Sequence, residues 1–134
     1  MSMSASDSLH CFKLIRMVKP TALSEIYVRF LNLARAVREL PDFPSLDPVE
    51  ERLLNLLAGI WQQGQRISVL QVMGLSDEVS STTTHRRIKS LRLKGMVTLL
   101  ADEADNRIKY VLPTPLANHY LAQLGQCVEQ ARQA

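Results

Sequence analysis

Hydrophobic residues recur with a helical period through the first half of the chain. In residues 21–40, TALSEIYVRFLNLARAVREL, Leu23, Ile26, Phe30, Ala34 and Val37 fall on one stripe. Tyr27, Leu31, Leu33 and Leu40 widen it. So broad an apolar surface predicts a helix with more than one neighbour. Pro41 and Pro44 end it. In LDPVEERLLNLLAGIWQQGQ, Asp47 is a good N-cap, Pro48 suits the first helical position and Glu50 can close a capping box. Val49, Leu53, Leu56, Leu57 and Ile60 are expected on its inner face, with Gly64 at its stop.

Shorter elements follow. Arg66-Ile67 suits a very short strand, Ser68 caps a short helix VLQVMG, and residues 74–79 make a turn. SSTTTHRRIKSLRLKG then opens a helix at Ser80 or Ser81 that stops at Gly95. On its wheel Thr84, Ile88 and Leu91 face one way, and Thr82, Thr83, Arg86, Lys89 and Ser90 spread over the other side. After Gly95 the period changes from helix to strand. MVTLL (96–100) and RIKYVL (107–112), separated by ADEADN, read as an antiparallel hairpin with a polar tip. Thr114-Pro115 starts a last helix, with Leu116, Tyr120, Leu124 and Cys127 on one face.

Two short helices joined by a turn, followed at once by a β-hairpin, make a winged helix-turn-helix. The fold class expected is mainly α with a small β-hairpin wing (α+β), with terminal dimerisation helices. Residues 1–20 are expected to be a flexible N-terminal arm, and 21–134 a single winged-helix domain. Its DNA-binding lobe spans 46–113, and its dimerisation helices span 21–40 and 114–132. A homodimer is expected because those terminal helices carry more apolar surface than one small lobe covers.

Composition narrows the chemistry. The chain has 134 residues, 46% hydrophobic and 22% charged, with a net charge of +3, an ordinary balance for one globular domain. Where the charge sits matters more than its sum. Residues 80–95 hold Arg86, Arg87, Lys89, Arg92 and Lys94 and no acid. A helix that enters the DNA major groove needs one apolar face, with short hydroxyl groups and cations on the other. Residues 80–94 carry both.

Other classes find less support. Cys11 and Cys127 lie near opposite ends and form neither a metal spacing nor a disulfide framework. His10, His85 and His119 have no ligand spacing, so no metal and no cofactor are expected. No nucleophile motif, phosphate loop or paired-carboxylate pattern appears, and an enzyme is not expected. No apolar run is long enough to span a membrane, and a cytoplasmic protein is expected.

From Leu46 to about Glu129 the chain resembles the MarR family of winged-helix regulators. LDPVEERLLNLLA resembles the family's second helix, SSTTTHRRIKSLRLKGMV its recognition helix and exit, and DNRIKYVLPT its wing with an Asp-x-Arg and returning strand. The resemblance implies a DNA-binding transcriptional regulator, most often a repressor, acting as a homodimer on double-stranded DNA. Carried over residue by residue, it places Thr83, His85 and Arg86 at recognition-helix contact positions, with Asp105 and Arg107 in the wing. With the polar and basic residues of the helix and hairpin themselves, the expected DNA contact set is Ser81, Thr82, Thr83, His85, Arg86, Arg87, Lys89, Ser90, Asp105, Arg107 and Lys109. The resemblance also implies a small aromatic effector between the dimerisation helices and the DNA-binding lobe, with Tyr27, Phe30, Trp61 and Tyr120 as candidate pocket residues. The wing departs from the family pattern, because Asp102, Glu103 and Asp105 crowd Arg107 and would repel phosphate. Two alternatives stay open: a winged-helix protein–protein interaction module, and a phage- or plasmid-type replication or partition DNA-binding protein.

Overall fold

The computed structural model of the chain describes residues 21–75 and 80–133. The expected arm at 1–20, with Cys11, lies outside the described residues, as do residues 76–79 of the turn. The described elements run α1 (Ala22–Arg38), α2 (Pro48–Gln62), α3 (Val69–Met73), α4 (Ser81–Leu93), β1 (Val97–Ala101), β2 (Lys109–Pro113) and α5 (Pro115–Gln133). This is a winged helix-turn-helix, mainly α with one antiparallel hairpin.

Local chemistry explains the helix starts. Thr21, Asp47, Ser68 and Ser80 each sit in extended backbone and accept a hydrogen bond from the amide three residues on. Asp47–Glu50 and Ser68–Gln71 are full capping boxes, with the second side chain bonding back to the cap's own amide. In the hairpin Leu99 pairs with Val111 and Ala101 with Lys109. The expected strand at Arg66-Ile67 is reduced to a bridge between Ser68 and Tyr110, with the Val111 amide donating to the Ile67 carbonyl at 2.8 Å.

The core gathers Leu53, Leu54 and Leu57 of α2, Val72 of α3, Ile88 and Leu91 of α4, and Val97 and Val111 of the hairpin. One expectation is corrected here: Leu54 is fully buried while Leu56 is half exposed. The helix presents a wedge to α4 on one side and to β2 on the other. The paired Leu53-Leu54 straddles that wedge, whereas Leu56 lies outside it. Trp61 is half-buried, and its Nε1 donates to the Val111 carbonyl at 3.0 Å.

The terminal helices α1 and α5 pack together. Arg29 Nε donates to the Ala131 carbonyl at 3.0 Å, and Arg38 Nε to the Tyr120 hydroxyl at 3.3 Å. The opposite order of these partners makes the helices antiparallel. Ala34 and Val37 meet Ala117, Tyr120, Cys127 and Ala131 in the buried seam. Leu23, on the same apolar stripe in sequence, is 78% exposed, and Tyr27, Val28 and Leu31 beside it are exposed as well. The seam takes only the C-terminal half of the α1 stripe.

Gly95 joins α4 to the sheet. Its φ of +80° turns the chain sharply after α4. There the Met96 amide donates to the Leu91 carbonyl at 2.9 Å, and the Thr114 hydroxyl donates to the Gly95 carbonyl. The same Thr114 oxygen accepts the Ala117 amide at 3.1 Å and so caps α5. An added Cβ would meet ordinary packing at this position, so the cost is one of backbone conformation. Gly95→Ala is therefore expected to cost about 1–2 kcal/mol and to lower the thermal midpoint by several degrees. An unchanged midpoint by circular dichroism would contradict this account of the turn.

Candidate nucleic-acid interface

Helix α4 has three distinct faces. Thr84, Ile88 and Leu91 are buried, as their spacing predicts. Thr82, Arg86 and Lys89 are exposed on the opposite side, and Leu93, 80% exposed, extends that outward stripe. Ser81 and His85 are exposed on the flank nearest the wing. Thr83 is half-buried, and its Oγ1 meets the Ser80 hydroxyl at 2.9 Å, closing the first turn. The third face, with Arg87, Ser90 and Lys94, turns toward the start of α2.

That third face meets a buried carboxylate. Glu50 is only 1% exposed. Its Oε1 accepts the Asp47 amide at 2.9 Å and Lys94 Nζ at 2.7 Å, while Oε2 accepts the Ser90 hydroxyl at 2.7 Å. Lys94 Nζ also donates to the Ser45 carbonyl at 2.7 Å. Burial pushes the Glu50 pKa up, but the Asp47 amide, Lys94 and Ser90 outweigh it and hold the group at about 2. One turn earlier on α4, Arg87 Nε lies 3.3 Å from Asp47 Oδ2. That nitrogen is buried with no aligned hydrogen bond among the described residues, so the contact is one of charge. Arg87 and Ser90 therefore stand apart from the other expected contact residues: Ser90 is bonded to the buried Glu50, and Arg87 lies against Asp47, partly exposed.

The acids of the wing build it. Asp102 Oδ2 accepts the Ala104 and Asp105 amides at 3.0 and 3.1 Å, and Oδ1 accepts the Tyr110 hydroxyl at 2.9 Å. The Tyr110 bond and these amides hold Asp102 below the usual carboxylate range. Asp105 accepts both Nε and Nη2 of Arg107, at 3.0 and 3.1 Å, which lowers its pKa in turn. The Arg107 side chain is 90% exposed at the tip. Two of the three wing acids are thus engaged within the hairpin: Asp102 keeps its charge while bonded to neutral donors, and Asp105 is paired with Arg107.

Between α3, α4 and the wing lies an open groove of about 1400 Å³. Lys89 and Arg92 of α4, Arg107 and Lys109 of the wing, and Arg66 line it, and among the described residues no acid does. Arg66 and Arg92 were not singled out from the sequence. Arg66 is placed by stacking over the Tyr110 ring, 5.3 Å from its centroid. Among the described residues, Arg66, Arg86, Lys89, Arg92 and Lys109 make no ion pair.

The four candidate effector-pocket aromatics have separate surroundings within the single chain. Tyr27 is exposed, Phe30 packs at the core margin, and Trp61 is tied to β2. Tyr120 alone of the four lines a cavity of about 350 Å³, with Leu31, Arg35, Arg38 and Glu51. Its hydroxyl bonds Glu51 and accepts from Arg38, and burial first, then the Glu51 bond, raises its pKa to about 12. The sequence scattered aromatics along the chain, but only burial decides which of them share a wall. Among the described residues no cluster of His, Cys, Asp and Glu has a metal-holding arrangement, and no helix is long and apolar enough to cross a membrane.

No protein-family model and no curated protein matches the sequence. Solved structures do share its architecture. The transcriptional regulator Tm0710 from Thermotoga maritima superposes with a TM-score of 0.55 at 18% identity, over 78% of this chain and 66% of that one. A MarR mutant from E. coli complexed with operator DNA gives 0.53 at 17% identity, over 98% and 83%. The heme sensor protein PefR from Streptococcus agalactiae in complex with heme gives 0.52 at 15% identity, over 95% and 76%. This chain spans just under two thirds of the Tm0710 chain. At such identities the likeness establishes the fold alone, a winged helix.

The Glu50 cluster has an acid signature. Its pKa is depressed in the fold, so the stability it contributes is complete above its ordinary value of 4.5 and is lost as pH falls toward about 2. Thermal midpoints measured from pH 6 to pH 2 should fall most steeply below pH 4.5, and Glu50→Gln should flatten that fall. An equally steep fall in the variant would assign acid sensitivity to other groups.

Proposed function

We propose that this chain is a MarR-like DNA-binding transcriptional regulator. It binds double-stranded DNA as a homodimer, with α4 in the major groove and the 101–107 wing near the minor groove. The carrying observation is the outward side of α4. Thr82, Arg86 and Lys89 stand exposed on a short helix whose inner face is buried, with no acid among them. Such a helix meets base edges with its N-terminal residues. Its threonine hydroxyl can bond phosphates or either base edge, and Arg86 can fork onto guanine. Arg66, Arg92 and Lys109 flank that stripe with charge suited to phosphates.

The exposed apolar stripe of α1, Leu23, Tyr27 and Leu31 at i, i+4 and i+8, together with Val128 of α5, supports pairing of two copies. A twofold pair would set two reading helices about 34–36 Å apart, one turn of the duplex. A dimer seated on DNA excludes other proteins, so repression is the mode we assign, in the cytoplasm. A small aromatic effector fits this reading at the cavity lined by Tyr120, where α1 meets the DNA-binding lobe. The acidic wing, which favoured a protein-interaction module on sequence, carries less weight once Asp102 and Asp105 are engaged within the hairpin.

Two measurements check this reading. Binding to a random-sequence duplex across a salt series should give a log–log slope near −7 for about eight phosphates per dimer. Arg86→Ala should weaken binding and flatten the slope by about 1–2 for the dimer, whereas Arg87→Ala should leave the slope in place. No binding even at low salt would remove the DNA reading. In sedimentation, wild type should run as a dimer and Leu23→Glu/Tyr27→Glu as a folded monomer. A dimer in both would move the interface elsewhere.

A further inference from the structure

Glu50 presents a question that stability does not answer. Burying a carboxylate costs several kcal/mol unless it is matched, and a well-packed apolar group of similar volume often does as well or better. A capping-box residue at the third helical position needs only to reach back to its cap's amide. Glu50 does that with one oxygen and also binds two groups of a different helix, forty and more residues away.

Those two groups are in the C-terminal half of α4, and their position on the wheel is informative. Arg87, Ser90 and Lys94 follow one another at i, i+3 and i+7 along a single line of the helix. Each is met by the first turn of α2: Arg87 by Asp47, Ser90 by Glu50, and Lys94 by Glu50. The line runs between the buried face, Thr84, Ile88 and Leu91, and the outward stripe of Thr82, Arg86 and Lys89. Ile88 and Leu91 hold α4 against the core, but apolar burial is non-directional and tolerates small rotations. The hydrogen bonds at Glu50 do not. A turn of α4 about its own axis moves Ser90 and Lys94 away from a carboxylate that has no water to replace them.

We propose that Glu50 is a positioning residue for sequence reading. With Ser90 and Lys94 as its partners, it fixes the rotation of α4 and so the direction in which Thr82 and Arg86 present their polar groups. Asp47 and Arg87 guide the same rotation one turn earlier. The inference rests on the DNA-binding reading above and adds a residue that touches no DNA. It also divides the cations of α4 by role. Arg86, Lys89 and Arg92 face outward for nucleic acid, and Arg87 and Lys94 are committed to the protein.

The division predicts a separation that a purely structural role would not produce. Phosphate contacts depend on net charge and tolerate a degree of misalignment, whereas a forked contact to a base edge is lost with it. The test uses the full-length protein, a duplex selected by wild type from a random library, and an unselected duplex of the same length. Glu50→Gln keeps the side chain's size and removes its charge, and Lys94→Met removes its main partner. Both should lose about 10- to 100-fold in affinity for the selected duplex. Both should stay within about 3-fold of wild type on the unselected one, with an unchanged salt slope. Ser90→Ala removes one hydrogen bond and keeps the ion pair, and it should fold even if the charge variants do not. It should shift the same ratio in the same direction.

Circular dichroism and thermal midpoints accompany each variant. Folded variants that bind the selected duplex as wild type does would overturn the proposal. So would affinities for both duplexes that fall together. Wild type that binds neither duplex would overturn the DNA-binding reading itself, and the proposal with it.

Discussion

A carboxylate taken out of water must have its lone pairs met or it destabilises the fold. In this protein that requirement falls on Glu50, at the start of α2, and the groups that satisfy it belong to the helix that faces outward. The outward side of α4 fits that junction. Position α4 by Ser90 and Lys94, and Thr84, Ile88 and Leu91 fall into the core while Thr82, Arg86 and Lys89 fall outside it. Gly95 then turns the chain into β1, and Thr114 ties the returning strand back to the same turn. The wing's place beside α4 follows from those two links.

The wing repeats the logic on a smaller scale. Asp102 is a scaffold for the hairpin tip, taking two amides and the Tyr110 hydroxyl. Tyr110 in turn offers its ring face to Arg66. Asp105 orients Arg107 with two parallel bonds, a pair of small energetic worth at the surface but of definite direction. Asp47, Glu50 and Asp105 are matched to Arg87, Lys94 and Arg107, while Arg66, Lys89, Arg92 and Lys109 make no ion pair among the described residues. A net charge of +3 therefore understates how cationic the groove between α4 and the wing is.

The parts of this account legible in the sequence were those that depend on local period and capping. The inner face of α4, the caps at Asp47, Ser68 and Ser80, the stop at Gly95 and the hairpin all follow from residues within a few positions of one another. The parts that were not legible depend on a partner distant in sequence. Glu50 reads as a capping residue until Ser90 and Lys94 are brought to it, and Arg87 reads as a solvent cation until Asp47 is beside it. Leu54 and Leu56 are equally apolar, and only the wedge between α4 and β2 chooses between them. Asp102 reads as a repulsive charge because its Tyr110 partner is on the other strand. Period alone likewise does not show that Tyr27 is exposed while Trp61 is bonded to β2.

The account's central claim is that α4, held by Glu50, enters the major groove, twice per dimer. Hydroxyl-radical footprinting of the wild-type protein on its selected duplex tests it most directly. Two protected patches on each strand are predicted, with centres about one helical turn apart, each flanked by weaker protection where the wing reaches the adjacent minor groove. A single patch, or protection spread evenly along the duplex, would contradict it.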